Sequence, residues 1–336
     1  MHGLYAWRHP PSGGGNRDMS PTPLVSIVIA TYNRAHVVAH AIASVRRSTV
    51  TDWELIVVGD RCTDDTEAVV AGFGDPRITW VNLPENAGEQ SGPNNEGIRR
   101  ARGRYLALLN HDDLFFPDHL ASSIACCEAT AADLVWSPLL VALPASEADV
   151  AAGQEQFRLS GVTSGDDYDP RVFVFASSWL MRRELTDRVG PWRSGRDTFV
   201  TASQDWIFRA WRSGARLRFH AHVGVLAVPA SVRAGSYVAA RSPEHDHFAA
   251  RMSAPGFREA ALERAAIAGE RETNRFRFGR AAAAALRGLV FRPASAAALA
   301  VGAHPYAPLI ALRHGRRGNL VSALRTRTGL AGLRRR

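Results

Sequence analysis

Apolar and polar positions alternate in blocks from Leu24 onward, and the blocks predict a regular succession of elements. LVSIVIA is a short run of β-branched and apolar residues, as expected for a strand buried on both faces of a parallel sheet. Asn33 is placed to cap a following helix that runs to Ser48, with Val37, Val38, Ala41, Ile42 and Val45 on one face. The rhythm repeats as strand WELIVV (53–58), a helix from Thr63 to about Gly72, strand RITWVNL (77–83), a helix over 90–102 and strand RYLALL (104–109). Strand–helix alternation of this kind predicts a doubly wound α/β sheet, mainly parallel and flanked by helices. A helix at 117–129, a strand at 133–140, a strand-then-helix stretch over 167–185, a short amphipathic helix from Ser203 to Gly214 and a strand-like run at 216–228 follow. Residues 142–156 read as a loop or short helix.

The two ends break this pattern. Residues 1–22 are rich in Gly, Pro and Ser without a period and are expected to be a disordered leader, with Met19 a plausible alternative start. Beyond about residue 250 the chain turns helical, Ala-rich and basic. The expected division is therefore leader 1–22, a first half 23–115, a second half 116–250 and a C-terminal extension 251–336.

Charge refines this division. The net charge of +9 invites a nucleic-acid reading, but the last 66 residues carry 14 arginines against one acid, Glu272. They hold +13 and the other 270 residues net −4, so the basic character belongs to the tail. That tail has too few aromatics for a nucleic-acid stacking platform, and no nucleic-acid partner is expected. An Arg-rich amphipathic surface over 271–336 fits anionic lipid head groups as well as it fits a solvated subdomain packed on the rest. Three cysteines, Cys62 and the vicinal Cys126 and Cys127, form neither an even disulfide framework nor a CxxC knuckle. With no secretory signal pattern and no apolar run of about 18–20 residues, the expected location is cytoplasmic, with peripheral attachment to the inner face of the plasma membrane a further expectation.

Open parallel sheets bind ligands beyond the carboxyl ends of their strands. Strand one ends in Thr31-Tyr32-Asn33-Arg34, strand two in Gly59-Asp60-Arg61, and strand four in Asn110-His111-Asp112-Asp113, so three polar clusters share one sheet edge. No GxGxxG follows the first strand and no GxxxxGK[ST] occurs, which excludes the usual dinucleotide and P-loop phosphate cradles. A hard divalent cation held by one or two carboxylates is another way to hold phosphates, and Asp112 and Asp113 suit it. Helix capping by Asp113 or Asp118 is the plainer reading of the same residues. Asp205, in the first turn of the Ser203–Gly214 helix beside Trp206, reads equally as a shielded proton acceptor and as a plain i,i+4 partner of Arg209.

The stretches SIVIATYNR, ELIVVGDRCTDDT, NAGEQSGPNNEGIRRARGRYLALLNHDD and SQDWIFRAWRSGARL, in this order over about residues 24–220, resemble family 2 glycosyltransferases. The resemblance implies the GT-A fold, a nucleoside-diphosphate sugar donor with a UDP-sugar favoured, Mg²⁺ or Mn²⁺, and inverting single displacement onto a hydroxyl of a glycan or lipid-linked acceptor in cell-surface glycan or glycolipid synthesis. Carried over by position, Thr31 and Asp60 contact base and ribose, with Tyr32, Arg34, Asp64, Asn94, Asn110 and His111 around the donor. Asp112 is the main metal ligand, Asp113 shapes the same loop, His245 is a candidate late ligand, and Asp205 is the general base. Asn110 stands where the family often has an acid, Gly59 replaces one acid of a frequent pair, Asn94 stands where an Arg is common, and Gln204 replaces the acid before the base. Asn110 and Gln204 keep a catalytically silent GT-A module open, and a nucleotidyltransferase stays open because its chemistry uses a related sheet and metal site, although no Gly-rich, Lys-bearing loop follows strand one.

Overall fold

The computed structural model describes residues 22–163, 165–275 and 291–333. The expected leader, except Thr22, and the arginines at 277, 280 and 287 and 334–336 lie outside the described residues. The strands are β1 (Val25–Thr31), β2 (Trp53–Gly59), β3 (Ile78–Asn82), β4 (Tyr105–Asn110), β5 (Asp113–Phe115), β6 (Leu134–Trp136), β7 (Leu139–Ala142), β8 (Phe157–Ser160), β9 (Trp179–Arg182), β10 (Leu217–Phe219) and β11 (Val225–Ala227). Between them lie α1 (Ala35–Arg46), α2 (Thr66–Ala71), α3 (Ser91–Arg100), α4 (His119–Ala129), α5 (Glu147–Ala151), α6 (Glu184–Val189) and α7 (Ala202–Arg212). Then come α8 (Pro243–Arg251), α9 (Phe257–Arg275), α10 (Ala307–His314) and α11 (Asn319–Arg327).

A seven-stranded sheet in the order β10-β6-β9-β4-β1-β2-β3 forms the centre. Strands β3, β2, β1 and β4 run parallel, and β9 is antiparallel to both β4 and β6. The apolar runs end up buried on both faces, as their composition predicts, because successive side chains point to opposite sides. Ile27, Ile29, Leu55 and Val57 pack under Val38, Ala41, Ile42 and Val45 of α1. Val28, Ile56, Val58, Leu106 and Leu108 face Ile98 of α3 and Trp206, Ile207 and Ala210 of α7. Each such large side chain taken fully out of water stabilises the fold by about 1.5–3 kcal/mol. At Gly97 a Cβ would lie 2.3 Å from a Val28 methyl, so only glycine lets α3 lie this close to β1.

A second sheet, β5-β11-β7-β8, leans on α8 and α9 through Leu114, Phe116, Leu140, Phe157, Leu226, Phe248 and Phe257. Two expected strands are therefore divided. The 133–140 run breaks at Ser137-Pro138 and sends β6 and β7 into different sheets, and 216–228 becomes β10 and β11 with a loop between. The expected halves 23–115 and 116–250 are interleaved: β9 inserts beside β4, and β11 beside β5. Asn33 does not cap α1. Its φ is +45°, its side chain bonds Thr63, and the first helical amide, Ala35 N, donates to the Asp64 carboxylate at 3.0 Å.

Candidate functional site

A cavity of about 310 Å³ opens at the carboxyl ends of β1, β2 and β4. Thr31, Tyr32, Asp60, Asn110, His111 and Asp112 line it, so six of the expected residues are brought together on the predicted sheet edge. Their geometry follows from where the strands stop. β1 and β2 are paired as far as Thr31 and Gly59, and the next residues turn outward over the edge. Thr31 is buried, and its hydroxyl has no hydrogen-bond partner among the described residues.

Asp112 is the acid that β4 delivers to this cavity. One carboxylate oxygen accepts from Ala230 N at 2.6 Å, and its carbonyl accepts from Val228 N at 3.3 Å and His245 Nε2 at 3.1 Å. Burial opposes its charge, but His111, Arg34, the Ala230 amide and His245 outweigh burial and hold the pKa below the usual carboxylate range. Its neighbour behaves oppositely. Asp113 lies inside the fold, where Oδ2 accepts from Asn110 Nδ2 at 2.9 Å and Ser177 Oγ at 2.6 Å. Burial first, and then the Asp112 charge, push its pKa up to about 7. The pair thus carries its negative charge on the residue that faces the cavity.

The contacts around the other expected residues differ from one to the next. Asp113 is turned inward and does not line the cavity. His245 has both ring nitrogens engaged, Nδ1 with Ser242 Oγ at 2.6 Å and Nε2 with the Asp112 carbonyl at 3.1 Å, and so braces the Asp112 loop. Asp60 has both carboxylate oxygens taken by backbone amides, Ala87 N at 2.6 Å and Gly88 N at 2.8 Å, and orders the 86–90 loop. Asp64 caps α1, and Asn94 is buried on α3; neither lines the cavity. Arg34 stands one layer behind the wall. It is 3% exposed, its Nε and Nη1 have no partner among the described residues, and its guanidinium carbon lies 5.2 Å from the centre of the Tyr237 ring.

Asp205, the expected base, is not among the residues that line the cavity. The cavity rim at the start of α7 is formed by Thr201 and Ser203, whose hydroxyls are 3.1 Å apart. Asp205 lies two residues further, about 200° around the helix. There Arg209 Nε meets Oδ2 at 2.9 Å and Arg193 lies 3.6 Å from Oδ1. Arg209 is itself anchored on the carbonyls of Val189 and Pro191. The plain i,i+4 pairing prevails, and Gln204 spends its amide on the backbone of Val174. Replacing Asp205 with Asn is therefore expected to cost about 0.5–1 kcal/mol of stability and to leave nucleoside-diphosphate release within about threefold. Urea denaturation and turnover of the same preparation check this, and a hundredfold loss of turnover at unchanged stability would restore Asp205 as base.

The cavity also contains residues that the pattern of the sequence did not mark. Tyr237 hydrogen-bonds His111 Nε2 at 3.5 Å, while His111 Nδ1 donates to the Ala30 carbonyl at 3.3 Å. Glu89 lines the cavity with its carboxylate on Ser91, and burial raises its pKa. Val321, Leu324, Arg325, Thr328 and Leu330 of the C-terminal extension close the cavity from the far end of the chain. A divalent cation has one suitable carboxylate here, Asp112. Mg²⁺ is compatible with this because it retains waters and takes the rest of its shell from phosphate oxygens. Among the described residues no group of three His, Cys, Asp or Glu side chains could hold a metal by itself.

Residues 26–190 match the family model described as Glycosyl transferase family 2. The succinoglycan biosynthesis protein ExoO of Rhizobium meliloti is 38% identical over 112 residues, 33% of this chain and 32% of that protein. The Escherichia coli UDP-Glc:alpha-D-GlcNAc-diphosphoundecaprenol beta-1,3-glucosyltransferase WfgD is 35% identical over 102 residues, 30% of this chain and 40% of that protein. The matched segment thus spans well under two thirds of either relative. Among solved structures, S. aureus TarS 1-349 in complex with UDP-GlcNAc superposes with a TM-score of 0.50 at 16% identity, covering 65% of this chain and 61% of that one, a likeness of fold.

Proposed function

Residues 26–190 form a glycosyl transferase family 2 domain, and from that premise we propose that the protein transfers a sugar from a nucleoside-diphosphate sugar to a hydroxyl acceptor in cell-surface glycan synthesis. The observation that carries this reading is the Asp112 carboxylate, held ionised at the mouth of a cavity of about 310 Å³ on the carboxyl edge of the sheet. Thr31, Tyr32, Asn110 and His111 supply donor contacts beside it. Asp112 is the residue that would hold Mg²⁺ or Mn²⁺, and the bound cation would neutralise charge on the departing diphosphate. A UDP-sugar is the donor we favour, since WfgD is named for UDP-Glc and TarS was solved with UDP-GlcNAc.

This chain's own residues set the remaining chemistry. Ala230 N, Val228 N and His245 fix the Asp112 loop from three sides, so its carboxylate meets a donor without rearrangement. Phe173, Phe175 and Pro229 give the cavity an apolar wall. No carboxylate from α7 faces the cavity, and this favours a second reading, a module that binds nucleotide sugar without turnover. One assay separates the two. The protein is incubated with UDP-, GDP- and dTDP-sugars and Mg²⁺ or Mn²⁺, and released nucleoside diphosphate is followed. Release lost in Asp112→Ala supports transfer, binding without release supports the silent module, and pyrophosphate release would indicate a nucleotidyltransferase.

The extension gives a partner hypothesis for a lipid-linked acceptor. Among the described residues no helix is long and apolar enough to cross a membrane. Val301, Leu309 and Leu312 are nevertheless exposed, close in sequence to exposed Arg313 and Arg316. We expect this patch, more than the rest of 271–336, to bind anionic lipid. Leu309→Glu with Leu312→Glu should lower sedimentation with phosphatidylglycerol vesicles several-fold while leaving nucleotide binding unchanged. Equal sedimentation of both proteins would sink the idea.

A further inference from the structure

The C-terminal extension, which the sequence marks only by its charge, crosses back over the cavity as a strap of α11 and the residues after it. Its backbone is pinned to two separate loops at the cavity. Gly318 N donates to the Thr198 carbonyl at 3.0 Å, Gly235 N to that of Arg327 at 3.1 Å, and Tyr237 N to that of Thr328 at 3.0 Å. At Gly318, with φ +79°, the chain passes directly over Arg196. The strap thus meets residues far apart in sequence that share only the cavity.

Arg325 is the residue this strap brings to the cavity wall. Its Nη1 donates to the Gly88 carbonyl and its Nε to that of Ala331 at 2.9 Å, which fixes the guanidinium plane. Nη2 makes no hydrogen bond, and the side chain makes no ion pair, among the described residues. Arg325 is near enough to Asp60 to favour its charge, but it makes no hydrogen bond or ion pair with that carboxylate, whose oxygens accept from the Ala87 and Gly88 amides. Arg325 is the one arginine among the described residues that line a cavity which also carries Asp60, Glu89 and Asp112. An anionic ligand entering there meets three carboxylates and this single fixed cation. A planar guanidinium held on two carbonyls, with N–H groups to spare, suits phosphate oxygens.

We infer that Arg325 binds the diphosphate of the donor, so that the C-terminal strap is a working part of the donor site. The inference rests on the nucleotide-sugar reading above. It also gives the strap a reason to be basic that is independent of lipid. Asn94 brings no charge to the donor, and Arg325 supplies one from the other end of the chain.

The test uses the full chain and equilibrium binding of UDP, GDP and dTDP, together with the matching nucleosides, to wild type, Arg325→Gln and Arg325→Lys. For the diphosphate that wild type binds tightest, Arg325→Gln should weaken binding about tenfold or more. The nucleoside should change less than about twofold, and Arg325→Lys should recover part of the loss. A strap that is merely a wall, loosened by the substitution, would weaken nucleoside and diphosphate equally, and that result overturns the inference. Unchanged diphosphate binding in Arg325→Gln overturns it too, while leaving the donor reading intact. If wild type binds none of the three diphosphates, the donor reading fails and this inference with it.

Discussion

Asp112→Asn is expected to lower nucleoside-diphosphate release by about a hundredfold to a thousandfold while leaving the fold intact. The size follows from what the residue does. It is the acid that would hold the cation, and losing the group that positions a charge opposite the departing diphosphate costs about 2.7–4 kcal/mol of barrier. The retained fold follows from what asparagine keeps. Its side-chain oxygen still accepts from Ala230 N, and the carbonyl contacts to Val228 and His245 belong to the backbone. Asp112→Ala removes the Ala230 bond as well, so it should lose turnover equally and about 1–2 kcal/mol of stability in addition. Turnover with Mn²⁺, set beside urea midpoints for both variants, reads the two effects separately. Asn at position 112 retaining a fifth or more of the wild-type rate would remove Asp112 from the centre of the site.

That expectation was readable from the chain because Asp112 sits where a doubly buried strand ends. Leu106 to Leu109 have no polar alternation, so β4 had to be interior, and whatever followed Asn110 had to emerge at its carboxyl edge. The roles of its neighbours were less legible. Asp112 lies in the turn between β4 and β5 while Asp113 opens β5, and sequence alone did not say which of the two faces the cavity. The choice is made by Ser177 and Asn110, which receive Asp113 inside. The surroundings of Asp205 were illegible for a related reason. Helical spacing permits both its pairing with Arg209 and exposure to a cleft, and the anchoring of Arg209 on Val189 and Pro191 decides between them.

The extension was the least legible part. Its positive charge and Ala-rich helices carry no local trace of where they dock, since the contacts of α11 reach segments some 80 to 240 residues earlier. Val321, Leu324 and Leu330 look like ordinary apolar positions of a surface helix, and only the folded chain shows that they complete a pocket. The consequence for function is specific. A site whose two ends come from residues 31 and 330 is sensitive to truncation at the carboxyl end, in a way that the family match over 26–190 does not reveal.

Wild-type stability is expected to fall by about 4 kcal/mol between pH 6.5 and pH 4.5 through two histidines alone, with His119→Leu removing about half of that loss. His119 is fully buried, its ring centre lies 4.4 Å from that of Phe115, and neither nitrogen has a hydrogen-bond partner among the described residues. Burial, reinforced by His222 and His220 and opposed by Asp118, lowers its pKa to about 3. Burial lowers that of His304, packed on Phe208, to about 4. Both pKa values are depressed, so from about pH 7.5 upward both rings are neutral folded or unfolded and pH has almost no effect through them. Below 6.5 the unfolded chain takes up protons that the folded chain refuses, and stability declines by about 1.4 kcal/mol per pH unit for each histidine until the folded pKa is reached. A loss of that size is a large part of the 5–15 kcal/mol of a typical domain. Leucine is apolar, close in volume and free of both orphaned nitrogens, so His119→Leu should match or exceed wild type at pH 7.5 and lead it by a further 2–3 kcal/mol or so at pH 4.5. Urea midpoints at half-unit steps across this range measure the slope of each protein. Parallel slopes for wild type and variant would show that His119 is protonated in the folded state, and with it that the packing of α4 against Gly224 admits a charge.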